Sequence, residues 1–145
     1  MKFKLSIVLV ALLAGCSTAK SVPTEPTPSI SPTAKVYSTN QDLAADLNAQ
    51  GVPCTNYEDV GSITRAIQLG NCNFSSDNEL VLSIYANAVD AADSPNNLLR
   101  FWIELTGETT DIHMVVGPNW SINCDNVAEY CQEISDKLHG RLVQF

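Results

Sequence analysis

The chain has 145 residues, with 16 acidic side chains, 8 lysines and arginines, and a formal net charge of −8. The charge is uneven, because residues 36–145 hold 15 of the acids and 4 of the basic residues, which makes −11. A field of that sign repels nucleic acids and anionic lipid headgroups, so the sequence argues against nucleic acid as a partner.

The first residues combine a positive start with a short apolar run. Lys2 and Lys4 precede residues 5–14, which are apolar apart from Ser6. A membrane-spanning helix needs about 20 apolar residues, so this run favours a secretory signal peptide. The alternatives are an ordinary secretory signal with an incidental cysteine, or a short anchor.

The apolar run ends in Leu13-Ala14-Gly15-Cys16, which places a cysteine after two small residues. This stretch resembles the lipobox of bacterial lipoprotein signal peptides. The resemblance implies cleavage between Gly15 and Cys16, and a thioether-linked diacylglycerol on Cys16. Residues 1–15 would then be removed, and the protein would be anchored by lipid on the extracytoplasmic face of the cell membrane.

The next segment has the composition of a disordered stalk. Residues 17–35 contain four prolines and eight serines and threonines, with almost no large apolar side chains. Such a segment cannot offset the entropy of folding. Proline favours the extended polyproline II conformation, at about 3.1 Å per residue, so the stalk would reach roughly 60 Å at most. A proline-rich ligand for a recognition domain is the alternative.

Residues 36–145 are enough for one domain. They open with a predicted helix over residues 39–50, whose start has capping-box spacing at Ser38 and Gln41, or at Thr39 and Asp42. Gly51 suits the left-handed residue after a helix, and Val52 would then contact Leu47 in a Schellman ending.

A polar loop is expected from Cys54 to Gly61. The alternation of Ile63, Ile67 and Leu69 predicts a strand running toward Cys72 and Phe74, with a bulge at Gly70-Asn71. Residues 80–87 alternate again, with Leu80, Leu82, Ile84 and Ala86 facing the core. These two strands are predicted to form an antiparallel hairpin.

The second half starts with a loop over residues 90–93. Ser94-Pro95 then suits a helix start, Gly107 a helix end, and the apolar face between them places Trp102 in the core. Residues 112–116 and 120–122 predict a second hairpin around a Gly117-Pro118-Asn119 turn. The four-, three- and four-residue spacing of Val127, Cys131, Ile134 and Leu138 predicts a last helix, ended by Gly140. Residues 142–145 are left open between a short edge strand and an irregular end.

The predicted order is α-β-β-α-β-β-α, which favours an α+β domain: a small antiparallel sheet of two hairpins with helices packed on it. The arrangement resembles small, largely uncharacterised lipoproteins of actinobacteria. The residues that carry the resemblance are the lipobox, Cys54, residues 70–72 and residues 117–120. The resemblance brings no known activity with it.

Cys16 apart, four cysteines remain, and an exported domain favours two disulfides among them. The sequential pairs Cys54–Cys72 and Cys124–Cys131 are favoured over Cys54–Cys124 with Cys72–Cys131. Bridged Cα atoms are rarely more than about 7 Å apart. The second sequential pair therefore requires residues 125–127 to form a loose turn, with regular helix starting near Ala128. Zinc is the alternative role for these cysteines, but their spacing is not that of a zinc site.

No catalytic constellation is recognisable, and neither a cofactor nor a metal is expected. His113 and His139 have no evident catalytic partner, and the nucleophile turn of a serine hydrolase is missing from the sequence. Asp90 with Asp93, and residues 77–79, could hold calcium, but an acidic solvated surface is the simpler interpretation. Trp120 and Asn119 at the second hairpin favour core or turn packing, with a binding surface as the alternative.

The sequence therefore favours a non-catalytic surface module that binds a protein or cell-wall component from the end of its stalk. A small envelope hydrolase that acts on the wall is one alternative. A surface inhibitor of a hydrolase or phage is another.

Overall fold

A computed structural model describes residues 33–62 and 65–145 of the chain. The predicted signal peptide, Cys16, most of the stalk and Ile63 lie outside this range. The described residues form four α-helices and one six-stranded antiparallel sheet, which is an α+β architecture. None of the described helices has the length and apolar character needed to cross a membrane.

The elements, in chain order, are α1 (Asn40–Ala49), β1 (Thr55–Gly61), β2 (Ala66–Asn73), β3 (Glu79–Tyr85), α2 (Ala88–Ala92), α3 (Ser94–Thr106), β4 (His113–Val116), β5 (Trp120–Asn123), a 3₁₀ helix (Asp125–Tyr130), α4 (Cys131–Leu138) and β6 (Arg141–Gln144). The strands lie side by side in the order β1-β2-β3-β5-β4-β6, and every neighbouring pair is antiparallel. The two predicted hairpins, β2–β3 and β4–β5, are present. The predicted element order is incomplete, because it lacks β1 and α2 and left β6 open.

The ends of α1 follow the local signals in the sequence. Thr39 is the N-cap, and its side chain accepts a hydrogen bond from the Asp42 N–H at 3.1 Å, so the Thr39 frame is the one used. At the other end, Gly51 has a φ of 76°, and the Val52 N–H donates to the Leu47 carbonyl at 2.9 Å. This is the predicted Schellman ending, and Leu47 and Val52 are both buried.

The predicted polar loop before Gly61 is wrong, because Thr55–Gly61 forms the edge strand β1. It pairs with β2 through two irregularities in register. Only Tyr57 is even partly buried, so β1 shows no alternation of apolar and polar residues. An edge strand of this kind is held by backbone hydrogen bonds to its neighbour, and the hydrophobic pattern does not report those bonds.

Strand β2 is present as predicted, but the burial of Ile67 and the position of the irregularity differ from the prediction. Ile67 is 53% exposed, whereas Cys72 is buried. The pairing of β2 with β3 runs without interruption from Gln68 to Asn73, so the bulge predicted at Gly70-Asn71 is absent there. The irregularity lies between Ala66 and Gln68, and it changes the phase of the strand around Ile67.

The loop predicted over residues 90–93 is also wrong, because Ala88–Ala92 forms the short helix α2. The Asn87 side chain caps it by accepting from the Asp90 N–H at 2.9 Å. Asp90 and Asp93 both lie near the Arg65 guanidinium, at 3.4 and 3.6 Å. These carboxylates therefore face a cation of the protein itself.

The segment before α4 has the loose geometry that the second disulfide requires. Residues 125–130 form a 3₁₀ helix in which Val127 departs from helical dihedral angles, and regular α-helix begins at Cys131. At the far end, His139 takes the left-handed conformation (φ 55°). The residue that ends the helix is therefore His139, one position before the predicted Gly140.

Both predicted disulfide pairs are confirmed. Cys54 is bonded to Cys72, with Cα atoms 5.0 Å apart, and Cys124 is bonded to Cys131, with Cα atoms 6.0 Å apart. The first bond ties the chain after α1 to β2. The second closes the 3₁₀ turn onto the start of α4.

Side chains alternate across the sheet, so the buried residues form two clusters, one on each face. We call the first face the side that carries α1, the 3₁₀ helix and α4, with Leu82, Trp120 and Ile122 in its cluster. The second face carries α2 and α3. Its smaller cluster contains Ala66, Tyr85, Ala91, Ile112, Met114, Val116 and Val143.

Candidate functional site

Helix α3 differs from the other helices in how little of it is covered. It begins after Asp93, with Pro95 in its first turn, and it ends where Gly107 takes a φ of 75° and donates to the Ile103 carbonyl. Its only buried residues are Ser94 and Pro95. Leu98 and Leu99, in the middle of the helix, pack partly against the second-face cluster.

The remainder of α3 presents large apolar side chains to solvent. Phe101 is 50% exposed, Ile103 40% and Leu105 63%. Trp102 is partly covered, and its ring lies edge-on to Phe101, with centroids 6.0 Å apart. Phe101 and Leu105, four residues apart, share one side of the helix, and Ile103 lies at the far edge of its apolar arc. Several large exposed apolar groups on one element are typical of interaction surfaces, whereas isolated ones are ordinary. We call these four residues, Phe101, Trp102, Ile103 and Leu105, the α3 apolar surface.

The prediction that Trp102 belongs to the core is wrong. The helix has the periodicity of a core-facing element, but the second face of the sheet covers only its first half. The pattern alone does not distinguish a helix that packs on its own sheet from a helix that packs on a partner.

The surroundings of the α3 apolar surface are acidic. Glu104 lies on the polar side of α3, one turn after Arg100, and Glu108 and Asp111 follow in the exposed connection to β4. Arg100 is the one basic residue within α3 itself. The net charge near the surface is therefore negative, in keeping with the charge of −11 over residues 36–145.

Trp120 and Asn119 have the role that the sequence favoured, core and turn packing, rather than the alternative role of a binding surface. The Trp120 side chain is fully buried, and its indole N–H donates to the Lys35 carbonyl at 2.8 Å. Asn119 holds the Tyr37 backbone from both sides, accepting from its N–H at 3.1 Å and donating to its carbonyl at 2.7 Å. These contacts correspond to core and turn packing, and the indole has no exposed face for a partner.

The Trp120 side chain also explains why a glycine occupies position 117. A Cβ at Gly117 would overlap the Trp120 indole ring. The Tyr37 ring lies edge-on to that indole, with centroids 5.9 Å apart. Residues 35–37 therefore close over Trp120, and the segment that leads toward the predicted stalk is attached to the first face.

A charged cluster secures this attachment. Lys35 Nζ donates to Asp46 Oδ1 at 2.9 Å, and the Tyr37 hydroxyl donates to Asp46 Oδ2. Burial raises the pKa of Asp46, but the hydrogen bonds from Tyr37 and Lys35 outweigh it, so the pKa lies below its ordinary value. Burial and the same carboxylate raise the pKa of Tyr37. Asp46 is therefore ionised, and Tyr37 neutral, at physiological pH.

The two histidines lie apart from one another in the fold. His113 is half-buried on β4, with Nδ1 3.9 Å from Asp125 Oδ1, and its backbone N–H donates to the same carboxylate. His139 is exposed, at the end of α4. Over residues 33–62 and 65–145, no three His, Cys, Asp or Glu side chains are grouped as metal ligands would be.

Comparison with known proteins adds no relative: no protein-family model, no curated protein and no solved structure matches the chain. The candidate site thus stands on the geometry of α3.

Proposed function

We propose that this protein is a lipid-anchored, extracytoplasmic binding module that captures a protein partner on the α3 apolar surface. The lipobox, the stalk composition and the two disulfides support the location, because disulfides persist in oxidising compartments. The observation that carries the binding role is the exposure of Phe101, Ile103 and Leu105 on one helix.

The anchor is tested separately from the binding role. Cys16→Ala is expected to abolish metabolic lipid labelling and to block processing or release the protein from membranes. Two acyl chains give stable membrane attachment, and without them only the short apolar run remains. A Cys16→Ala protein that still carries label and stays in the detergent phase would disprove the anchor.

Three occupants could cover the α3 apolar surface: a membrane, a second copy of the chain, or another protein. Helices that lie in a membrane interface carry lysine and arginine on their polar face. The polar residues of α3 include a single cation, Arg100, so a membrane fits poorly.

Charge also distinguishes a second copy of the chain from a different protein as the occupant. A second copy would bring together two domains that each carry −11. Like charges facing each other across an interface are costly. The favoured occupant is therefore a different protein, with an apolar patch rimmed by lysine or arginine.

Photo-crosslinking in intact cells tests this choice. A photoreactive residue at position 105 is expected to give a protein adduct, whereas the same residue at exposed position 96, also on α3, gives none. The substitutions Glu104→Gln and Glu108→Gln together are expected to lower the adduct yield, because they remove the acidic rim.

Each other result contradicts the proposal. An adduct of twice the chain mass would show a second copy, and an adduct with lipid would show a membrane. Equal yields from positions 105 and 96, or no dependence on Glu104 and Glu108, would rule out the specific surface described here.

A further inference from the structure

A second surface lies on the opposite side of the sheet from α3. It is a groove of about 270 Å³ between the end of α1 and the start of α4, lined by Gly51, Val52, Pro53, Phe74, Tyr130, Glu133 and Ile134. Val52 and Ile134 are buried and form its floor. The volume is below the roughly 300 Å³ at which pockets for drug-sized ligands begin, so it suits a ring-sized group.

Both disulfides hold the walls of this groove. Pro53 directly precedes Cys54, Phe74 lies two residues after Cys72, and Tyr130 directly precedes Cys131. The Cys54–Cys72 bond ties the Pro53 and Phe74 segments to each other, and the Cys124–Cys131 bond closes the turn that carries Tyr130. A site whose walls are fixed before binding loses little conformational entropy when it binds.

An aromatic pair forms one wall. The rings of Phe74 and Tyr130 are tilted by 46°, with centroids 4.8 Å apart. Phe74 is partly buried, whereas Tyr130 is 40% exposed. The Tyr130 ring is therefore supported from behind by Phe74, and part of its surface is open to a ligand.

An ion pair lies beside the aromatic wall. Lys137 Nζ is 2.6 Å from Glu133 Oε1, and the two side chains are 30% and 50% exposed. Lys137 lies next to Gly51, because a Cβ at position 51 would be in ordinary van der Waals contact with Nζ, at 3.8 Å. The groove thus offers a flat apolar surface with an acceptor, Glu133, and a donor, Lys137, at its edge.

We propose that this groove binds one or two rings of a neutral saccharide. A pyranose has a face of C–H groups that can stack on Tyr130, and hydroxyls that both donate to Glu133 and accept from Lys137. An anionic ligand is disfavoured by the charge of −11 over residues 36–145. This inference is independent of the α3 apolar surface.

A proline-rich peptide is the other ligand that an aromatic groove could take. Proline has no N–H, so such a peptide presents mainly carbonyl acceptors. Those carbonyls could accept from Lys137, but Glu133 would face acceptors and lose its solvation. Saccharide hydroxyls satisfy both partners, and the polar edge of the groove therefore favours the saccharide.

Titration with two soluble sugars, the tetramer of N-acetylglucosamine and the tetramer of β-1,4-linked glucose, tests the proposal. Amide NMR shifts are expected at residues 51–53 and 130–134. Tyr130→Ala is expected to weaken binding about tenfold or more, and Glu133→Gln less. Phe145→Ala, which removes a 51% exposed ring outside the groove, is the matched control and should leave binding unchanged.

Binding of either sugar with this pattern supports the proposal, and the stronger of the two indicates the sugar type. No amide shift with either sugar at about 10 mM, roughly ten times the Kd of a weak, 1 mM ligand, would overturn it. So would groove shifts caused only by a proline-rich peptide, or equal losses in the Tyr130 and Phe145 variants. A circular dichroism spectrum of each variant establishes whether it is folded. If Tyr130→Ala does not fold, the Glu133→Gln variant still tests the groove.

Discussion

The two faces of the sheet are covered in different ways. On the first face, α1, the 3₁₀ helix and α4 enclose a continuous cluster that includes Trp120, and both disulfides lie on that side. On the second face, α2 and the first half of α3 cover a smaller cluster, and the rest of α3 extends beyond it.

This difference assigns folding stability mainly to the first face and partner binding to the second. Apolar burial and covalent closure are concentrated on the first face, so the free energy of folding should depend mainly on its residues. The second face leaves large apolar side chains on a helix with few buried contacts. Such an element can bind a partner, or be altered by substitution, without disturbing the core.

The largest effect is expected for the tryptophans on the two faces. Trp120→Ala removes a fully buried indole from the first face and should lower the free energy of unfolding by about 3–5 kcal/mol. Trp102→Ala removes the same ring from α3 and should cost about 1 kcal/mol or less. Urea denaturation of both variants measures the difference. Equal losses would show that α3 is as important to folding as the first face.

The disulfides come next. Replacing Cys54 and Cys72 together by alanine opens a link of sequence separation 18, which costs about 3 kcal/mol in the chain-entropy model. Replacing Cys124 and Cys131 opens one of separation 7, which costs about 2.5 kcal/mol. Thermal unfolding of the two double variants compares them. A stability unchanged by either replacement would contradict the role given to the first face.

A smaller effect is expected at the attachment of residues 35–37. Asp46→Asn should cost about 1–2 kcal/mol at neutral pH, near the value of a hydrogen bond to a charged group. Because the folded-state pKa of Asp46 is depressed, its contribution is full above the unfolded pKa and is lost as pH falls below about 4. The stability gap between wild type and Asp46→Asn should therefore narrow at about pH 3. A gap independent of pH would argue against the charged form of Asp46.

The smallest effect on folding is expected on the exposed part of α3. Phe101→Ser and Leu105→Ser should each change the free energy of unfolding by about 0.5 kcal/mol or less, because these side chains are at least half exposed. The same substitutions should strongly reduce crosslinking from a photoreactive residue placed at position 102. Urea denaturation and the crosslink yield, measured on the same variants, distinguish the two roles. A large loss of stability would place these residues in the fold rather than in the interaction.

Features governed by neighbouring residues were predictable from the sequence. Thr39 and Gly51 mark the ends of α1, and the alternation of Leu80, Leu82 and Ile84 places β3 with those side chains on the first face. The Cα limit for a disulfide linked the Cys124–Cys131 pair to a loose turn before α4, and both are present. Capping, side-chain alternation and closure of a short loop depend on residues that are close in sequence, so the residue types alone predict them.

The tertiary structure alone decided which surfaces are covered. Strand β1 exists because β2 lies beside it, and the pattern of residues 55–61 does not predict that pairing. Trp120 is buried because residues 35–37 close over it, and the aromatic wall of the groove exists because the rings of Phe74 and Tyr130, distant in sequence, pack against each other. Trp102 and Trp120 are the same residue type, yet one lies on a partly exposed helix and the other in the core. Burial is set by contacts between residues distant in sequence, and a local pattern cannot specify which of its apolar faces the rest of the chain will reach.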